Sequence, residues 1–236
     1  MNRVTYLDRL GFAVTTDDVI MVFDYFTDPS HALHRILEQN PEKPVVFFVT
    51  HYCHEHFNKS IYELAQNHRR VYVMSNDVHP QNVPDTIAVA GMSKGDVIED
   101  LPGISSVRAF ASTGKGVSFL VTAKNGETLF HAGNMSDDLE QPSIKKTDEA
   151  DARFRSMVDR IAEQQPAIDI VFFPMDADAG IDFEQGARDF LAAVKVKDFF
   201  PMVIGGHAKE VCATTDYIPA GTAAHCIHTP GQSIEL

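Results

Sequence analysis

The sequence predicts a layered α/β fold, and three observations carry that prediction. Short runs rich in β-branched and aromatic residues recur through the first half of the chain, separated by turn residues. The second half changes rhythm, with two stretches whose apolar residues recur at helical spacing. Between and after those helices lie further apolar runs that read as buried strands, so the helices belong on the outside of β-rich halves.

Taken in order, Val19–Tyr25 is the first clear strand, and Ser30 is placed to cap a short helix carrying Leu33, Ile36 and Leu37. Pro44–Val49 is short, β-branched and aromatic, a buried strand. Asn58 is an N-cap candidate for a helix with Ile61, Tyr62, Leu64 and Ala65 on one face. Val71–Met74, Thr86–Val89 and Val107–Phe110 are further strands. Val117–Val121 and Thr128–His131 flank Asn125-Gly126, a hairpin signal because both turn positions tolerate positive φ. Ala150, Phe154, Met157, Val158, Ile161 and Ala162 define a helix that Pro166 follows. Ile168–Phe173 is a buried strand. Phe183, Ala187, Phe190, Leu191 and Val194 share a second helix face, and Phe199–Ile204 is the last strong strand. No repeat, low-complexity tract or Pro/Gly/Ser-rich linker divides the chain, so residues 1–236 are expected to form a single domain.

The composition, 44% apolar and 22% charged, is that of an ordinary globule with material for a proper core. A net charge of −13 with no basic tract argues against nucleic acid or an anionic membrane as partner. The chain has three cysteines, Cys53, Cys212 and Cys226; the odd number and wide spacing argue against a disulfide framework. No leader-like segment or membrane-length apolar run is present, so a cytoplasmic location is expected. Oligomeric state is not readable.

The densest chemistry lies in Thr50-His51-Tyr52-Cys53-His54-Glu55-His56, directly after a buried strand. Imidazole, thiolate and carboxylate are the side chains that hold zinc, and residues this close together converge only from a loop. Other chemistries find no support. There is no Gly-x-Gly-x-x-Gly or Gly-x-x-x-x-Gly-Lys-Ser/Thr loop, and Ser112 lacks a Gly-x-Ser-x-Gly elbow.

The loop resembles the first metal motif of the metallo-β-lactamase superfamily, His-x-His-x-Asp-His after a buried strand; here it reads His-Tyr-Cys-His-Glu-His. Leu10-Gly11-Phe12 and Ile20–Asp24 resemble the opening hairpins of that family's bacterial metal-dependent hydrolase branch. Phe130-His131-Ala132-Gly133-Asn134 resembles the strand that ends in Gly-Asp, and Phe199–Val203 the late strand that ends in Pro-Met-His. The resemblance runs over residues 4 to 236. It implies a four-layer αββα sandwich with metal at one edge between two sheets, and zinc or another divalent metal as cofactor.

The departures from the family pattern fall on the ligands. His51 and His56 match, Cys53 stands for a histidine, and Glu55 for the aspartate. Asn134 stands for the bridging aspartate and Val203 for the final histidine. No histidine lies between His79 and His131, where the family has its middle ligand and this chain has Ser112 and Thr113. Each of two sites keeps two ligands where three are needed, so one ion or none is expected.

Three functions follow. One is a metal-dependent hydrolase with an at most mononuclear site of His51, Cys53, Glu55 and His56, where Glu55 is a ligand or the base orienting water. A second is a non-catalytic member of the fold that binds a small molecule or a protein. A third is thiol chemistry at Cys53, activated by the flanking histidines. Around the loop, His54 is expected to point away, and His131 to pack or to support the loop from behind. Asp176 either lines the pocket or, the more ordinary role, caps a turn, and His207, four residues beyond Val203 after two glycines, is a minor candidate to replace the ligand missing there. His225 and His228 have metal-like spacing and are read as structural. The substrate is not legible.

Overall fold

The computed structural model describes residues 2–113, 115–135, 148–179, 183–205 and 207–236. In chain order the elements are β1 (Arg3–Asp8), β2 (Gly11–Thr15), β3 (Ile20–Phe23), α1 (Ala32–Gln39), β4 (Val45–Val49), β5 (Arg70–Ser75), β6 (Ala90–Met92), β7 (Val97–Leu101) and β8 (Ile104–Ala111). There follow β9 (Val117–Ala123), β10 (Thr128–His131), α2 (Asp148–Gln164), β11 (Ala167–Asp176), α3 (Gln185–Ala193), β12 (Lys195–Ile204), α4 (Ala208–Ala213), β13 (Ala223–Ala224) and β14 (Ser233–Glu235).

The strands make two sheets, ordered β14-β1-β2-β3-β4-β5-β6 and β13-β12-β11-β10-β9-β8-β7. In the first, β3, β4, β5 and β6 run parallel; in the second, β10, β11, β12 and β13 do. Alternation along each strand sorts the side chains into layers. Met21, Phe23, Val46, Phe48, Phe119, Ile170, Phe172, Phe200 and Met202 meet between the sheets. Ile20, Val22, Val45, Phe47 and Val49 face outward under Leu33, Ile36 and Leu37 of α1. On the far side, Phe130, Val171, Phe173 and Phe199 pack under Phe154, Val158 and Ile161 of α2 and Phe190 and Leu191 of α3. Helix, sheet, sheet, helix: this is the αββα sandwich expected above.

Several local expectations are corrected. The helix after Asn58 is a single 3₁₀ turn, Lys59–Tyr62, with Asn58 Oδ1 accepting from Ser60 N at 3.0 Å. Arg70 Nη1 donates to the carbonyls of Tyr62 and Leu64, and Ala65 turns left-handed at φ 51°, so the helical ladder cannot continue. The first amides of α1 are satisfied by Asp28 instead of Ser30, at 2.8 Å for Ala32 N and 2.9 Å for Leu33 N. Thr86–Val89 is not a strand: a turn bond joins Ile87 N to Pro84 O, and pairing to β5 begins only at Ala90. The cysteine expectation also fails. Cys212 on α4 and Cys226 beyond β13 form a disulfide, their Cα atoms 5.5 Å apart, because the fold brings back segments that the sequence separates by 14 positions. None of the described helices is long and apolar enough to cross a membrane.

Candidate functional site

The parallel strands point their C-terminal ends to one edge, and the loops there carry the chemistry. Asp24 ends β3 in a left-handed conformation, φ 44°, and is fully buried. Its Oδ1 accepts from Thr50 N at 2.8 Å, and its Oδ2 from Thr50 Oγ1 at 2.6 Å. His56, also fully buried, sets Nδ1 2.6 Å from the same Oδ2 and Nε2 2.7 Å from Asn134 Oδ1. His51 Nδ1 lies 3.0 Å from Thr50 Oγ1. Two glycines make room for the His51 ring. A Cβ at Gly116, φ 83°, would overlap that ring and the Thr50 carbonyl, and one at Gly133, φ 60°, would sit 3.1 Å from the ring. His131 stacks on Phe23 at 5.1 Å and holds Nδ1 3.7 Å from Asp24 Oδ2.

The charges follow from this geometry. Burial pushes the Asp24 carboxyl up, but the His56 charge and the Thr50 hydroxyl outweigh it and hold it below its ordinary value. Burial likewise lowers His56, and the Asp24 carboxylate outweighs it, so His56 lies above its ordinary value. Both ring nitrogens of His56 face acceptors, which suits an imidazolium. His51 is pushed down to about 4 by burial and by the neighbouring His56. His131 is also lowered to about 4, by burial against the partial offset of Asp24. The directions of these shifts and the two acceptors around His56 favour a carboxylate–imidazolium pair, beside two imidazoles held neutral at pH 7.

The other candidate residues disperse. Cys53 is exposed; its carbonyl accepts from the amides of His56 and Phe57, closing a turn that carries its side chain outward. Even so, burial raises the thiol, opposed by the Glu55 and His56 amides and reinforced by the Asp24 and Glu55 charges. Glu55 turns to Arg9, 3.7 Å away, and His54 sets its ring edge-on to Phe26 at 4.7 Å. Val203 packs partly under the outer helices. It also borders a cleft of about 340 Å³ with Tyr6, Asp8, Arg9, Phe26 and Glu55. Asp176 accepts from Asp178 N at 3.0 Å, a turn cap. His207 pairs on the surface with Asp178 at 2.9 Å and Glu210 at 3.2 Å, and its neighbour Gly206 lies outside the described residues.

These residues do not fit a bound metal pair. Among the described residues, His51, Cys53, Glu55 and His56 do not bring their donor atoms within 4.8 Å of one another. His56 retains the carboxylate partner that metal-ligating histidines commonly have on their second nitrogen. Its Nε2 is nevertheless 2.7 Å from Asn134 Oδ1. Two donors on one tetrahedral zinc would stand about 3.4 Å apart, so this spacing is that of a direct hydrogen bond. His51 Nε2, by contrast, is buried and has no hydrogen bond of regular geometry, although the Lys115 carbonyl acts on the ring.

Sequence reasoning missed Asp24 and Thr50, the centre of the network. The available signal was a carboxylate ending an apolar strand that runs parallel to the strand feeding the His51–His56 loop.

No family model matches the sequence, and no curated protein matches it. Solved structures do. The chain is similar to Igni18, a metallo hydrolase from the hyperthermophilic archaeon Ignicoccus hospitalis, at TM-score 0.71 and 12% identity over 99% of this chain and 97% of that one. It is similar to CmlA, a diiron β-hydroxylase from Streptomyces venezuelae, at TM-score 0.66 and 11% identity over 100% of this chain and 54% of that one. It is also similar to the metallo-β-lactamase fold protein YhfI from Bacillus subtilis, at TM-score 0.65 and 12% identity over 100% of both chains. At such identities the likeness is one of fold.

Proposed function

We propose that this chain, which has the metallo-β-lactamase fold, is a member of that fold that has exchanged two-metal hydrolysis for small-molecule binding. One observation carries the reading: His56 is bonded within the protein at both ring nitrogens, to Asp24 at 2.6 Å and Asn134 at 2.7 Å. A ligand histidine must offer a free lone pair to the ion. The imidazolium instead supplies the positive charge that a metal supplies elsewhere in the fold, and Asp24 balances it. The cleft beside Val203 and Glu55, about 340 Å³, is of the size that holds small ligands.

A second reading, a hydrolase with a single divalent ion, is favoured by one feature, the buried and poorly bonded Nε2 of His51. Metal analysis separates the two. Disulfide-intact protein, purified without added metal and then titrated with zinc, iron(II) and manganese(II), is expected to hold below about 0.1 equivalent and to take up none. Uptake near one equivalent that disappears in His51→Ala would replace the binding-module reading with the hydrolase one.

A further inference from the structure

Away from that edge, the disulfide has a histidine neighbour. His228 sets Nδ1 3.7 Å from Cys212 Sγ. Cys212, Cys226 and His228 place one donor atom each within 4.8 Å of the others. The arrangement is built by the local chain. Ile227 is buried in the core between the sheets, at 2% exposure, so its neighbours Cys226 and His228 are both turned outward toward α4. Gln232 Oε1 accepts from the amides of His228 and Thr229, each at 3.3 Å, and fixes the segment. The nearby His225 is already committed, bonded to Asp198 at 2.7 Å and stacked on Phe200 at 4.8 Å. That leaves His228 as the third donor.

We propose that Cys212, Cys226 and His228 form a redox-gated site for a thiophilic divalent metal of the zinc class, filled when the disulfide is reduced and closed when it forms. Zinc bonds of about 2.3 Å to sulfur and 2.0–2.1 Å to nitrogen place tetrahedral donors about 3.5–3.8 Å apart. The Cys212–His228 separation already meets that spacing, and the two sulfurs reach it once their bond is broken. A dithiol reductant supplies the electrons: one of its thiolates attacks a Sγ, the S–S bond breaks, the reductant leaves as its own disulfide, and two protein thiols remain. The metal then displaces both thiol protons to solvent and accepts two thiolates and the imidazole, leaving a fourth position for water. Cys212 and Cys226 are half-buried and His228 is exposed, so reductant and ion can reach them.

Cobalt(II) provides the probe, since thiolate ligation gives an intense near-ultraviolet band and tetrahedral geometry gives visible bands. Protein reduced with a phosphine is expected to bind about one equivalent with both signatures, and the oxidised protein none. Cys212→Ser and His228→Ala are expected to weaken binding at least about tenfold, whereas Cys53→Ser and His51→Ala retain it. His228→Ala keeps both cysteines, so it reports on ligation even where Cys212→Ser fails to fold. Absence of the bands in reduced protein with unchanged far-ultraviolet circular dichroism would overturn the proposal. So would uptake that survives both ligand variants, or uptake by the oxidised protein that persists in His51→Ala and so does not belong to the other edge.

Discussion

At the scale of single residues, the site turns on a buried ion pair. Asp24 and His56 are fully buried and 2.6 Å apart, so each is tolerable only while the other is charged. Asp24→Asn is expected to destabilise the fold by about 3–5 kcal/mol, because it strands the imidazolium and weakens both bonds to Thr50. Asp24→Asn with His56→Gln is expected to cost less than the sum of the two single changes, as read from urea midpoints. Costs that simply add would show that the two groups do not act as a pair. The sequence displays His51, Cys53, Glu55 and His56 as one cluster, and the marks against metal, Asn134 and Val203, are equally visible. It does not display ring orientation. Whether His56 Nε2 meets an ion or an amide depends on where β10 delivers Asn134, and Asp24 looks like any strand-terminal carboxylate until β3 and β4 are seen side by side.

At the scale of elements, the loops after β4, β8 and β10 interlock around the His51 ring. Gly116 and Gly126 share a positive φ, 83° and 88°, but have different surroundings. Nothing lies within 4 Å of a Cβ at Gly126, so Gly126→Ala is expected to cost about 1–2 kcal/mol, the left-handed penalty alone. Gly116→Ala adds overlap with His51 and Thr50 and is expected to cost about 2–5 kcal/mol, with chemical denaturation as the measure. Equal losses would mean that the ring yields to the new methyl. Element legibility divides along similar lines. β3, β4, β11 and β12 carry long apolar runs and α2 and α3 carry helical periodicity, all evident in the letters. β7 is different: Glu99 and Asp100 are exposed and Val97 is 42% exposed, so its strand character comes from pairing with β8 and not from its own pattern.

At the scale of the whole molecule, acid sensitivity collects the buried histidines into one observable. His51 and His131 are held at about 4 against an ordinary 6.5, so the unfolded chain protonates them first. Their contribution is intact above pH 6.5 and drains away as pH falls toward 4. Asp24, lowered, adds stability that is lost only as pH falls below the ordinary carboxylate range. His56, raised, adds stability that is full below pH 6.5 and fades as pH rises through its folded value. Stability is therefore expected to peak near pH 6.5, to fall on the alkaline side by release of about one proton on unfolding up to the folded value of His56, and to fall on the acid side with uptake of about two protons on unfolding. Urea midpoints measured across that range test this, and His131→Gln is expected to lower the acid-side slope by about one proton. A slope unchanged by that substitution would remove His131 from the account.

The pairing of β14 with β1, Arg3 opposite Glu235, joins strands from nearly opposite ends of the sequence. β14 is synthesised long after β1, and the edge of β1 waits for it. Until then the outer row of β1 amides and carbonyls is bare, an invitation to another copy of the chain. The closing strand thus works as a seal as much as a staple, and the time between synthesis of β1 and arrival of β14 is when the growing chain is most exposed to misassociation.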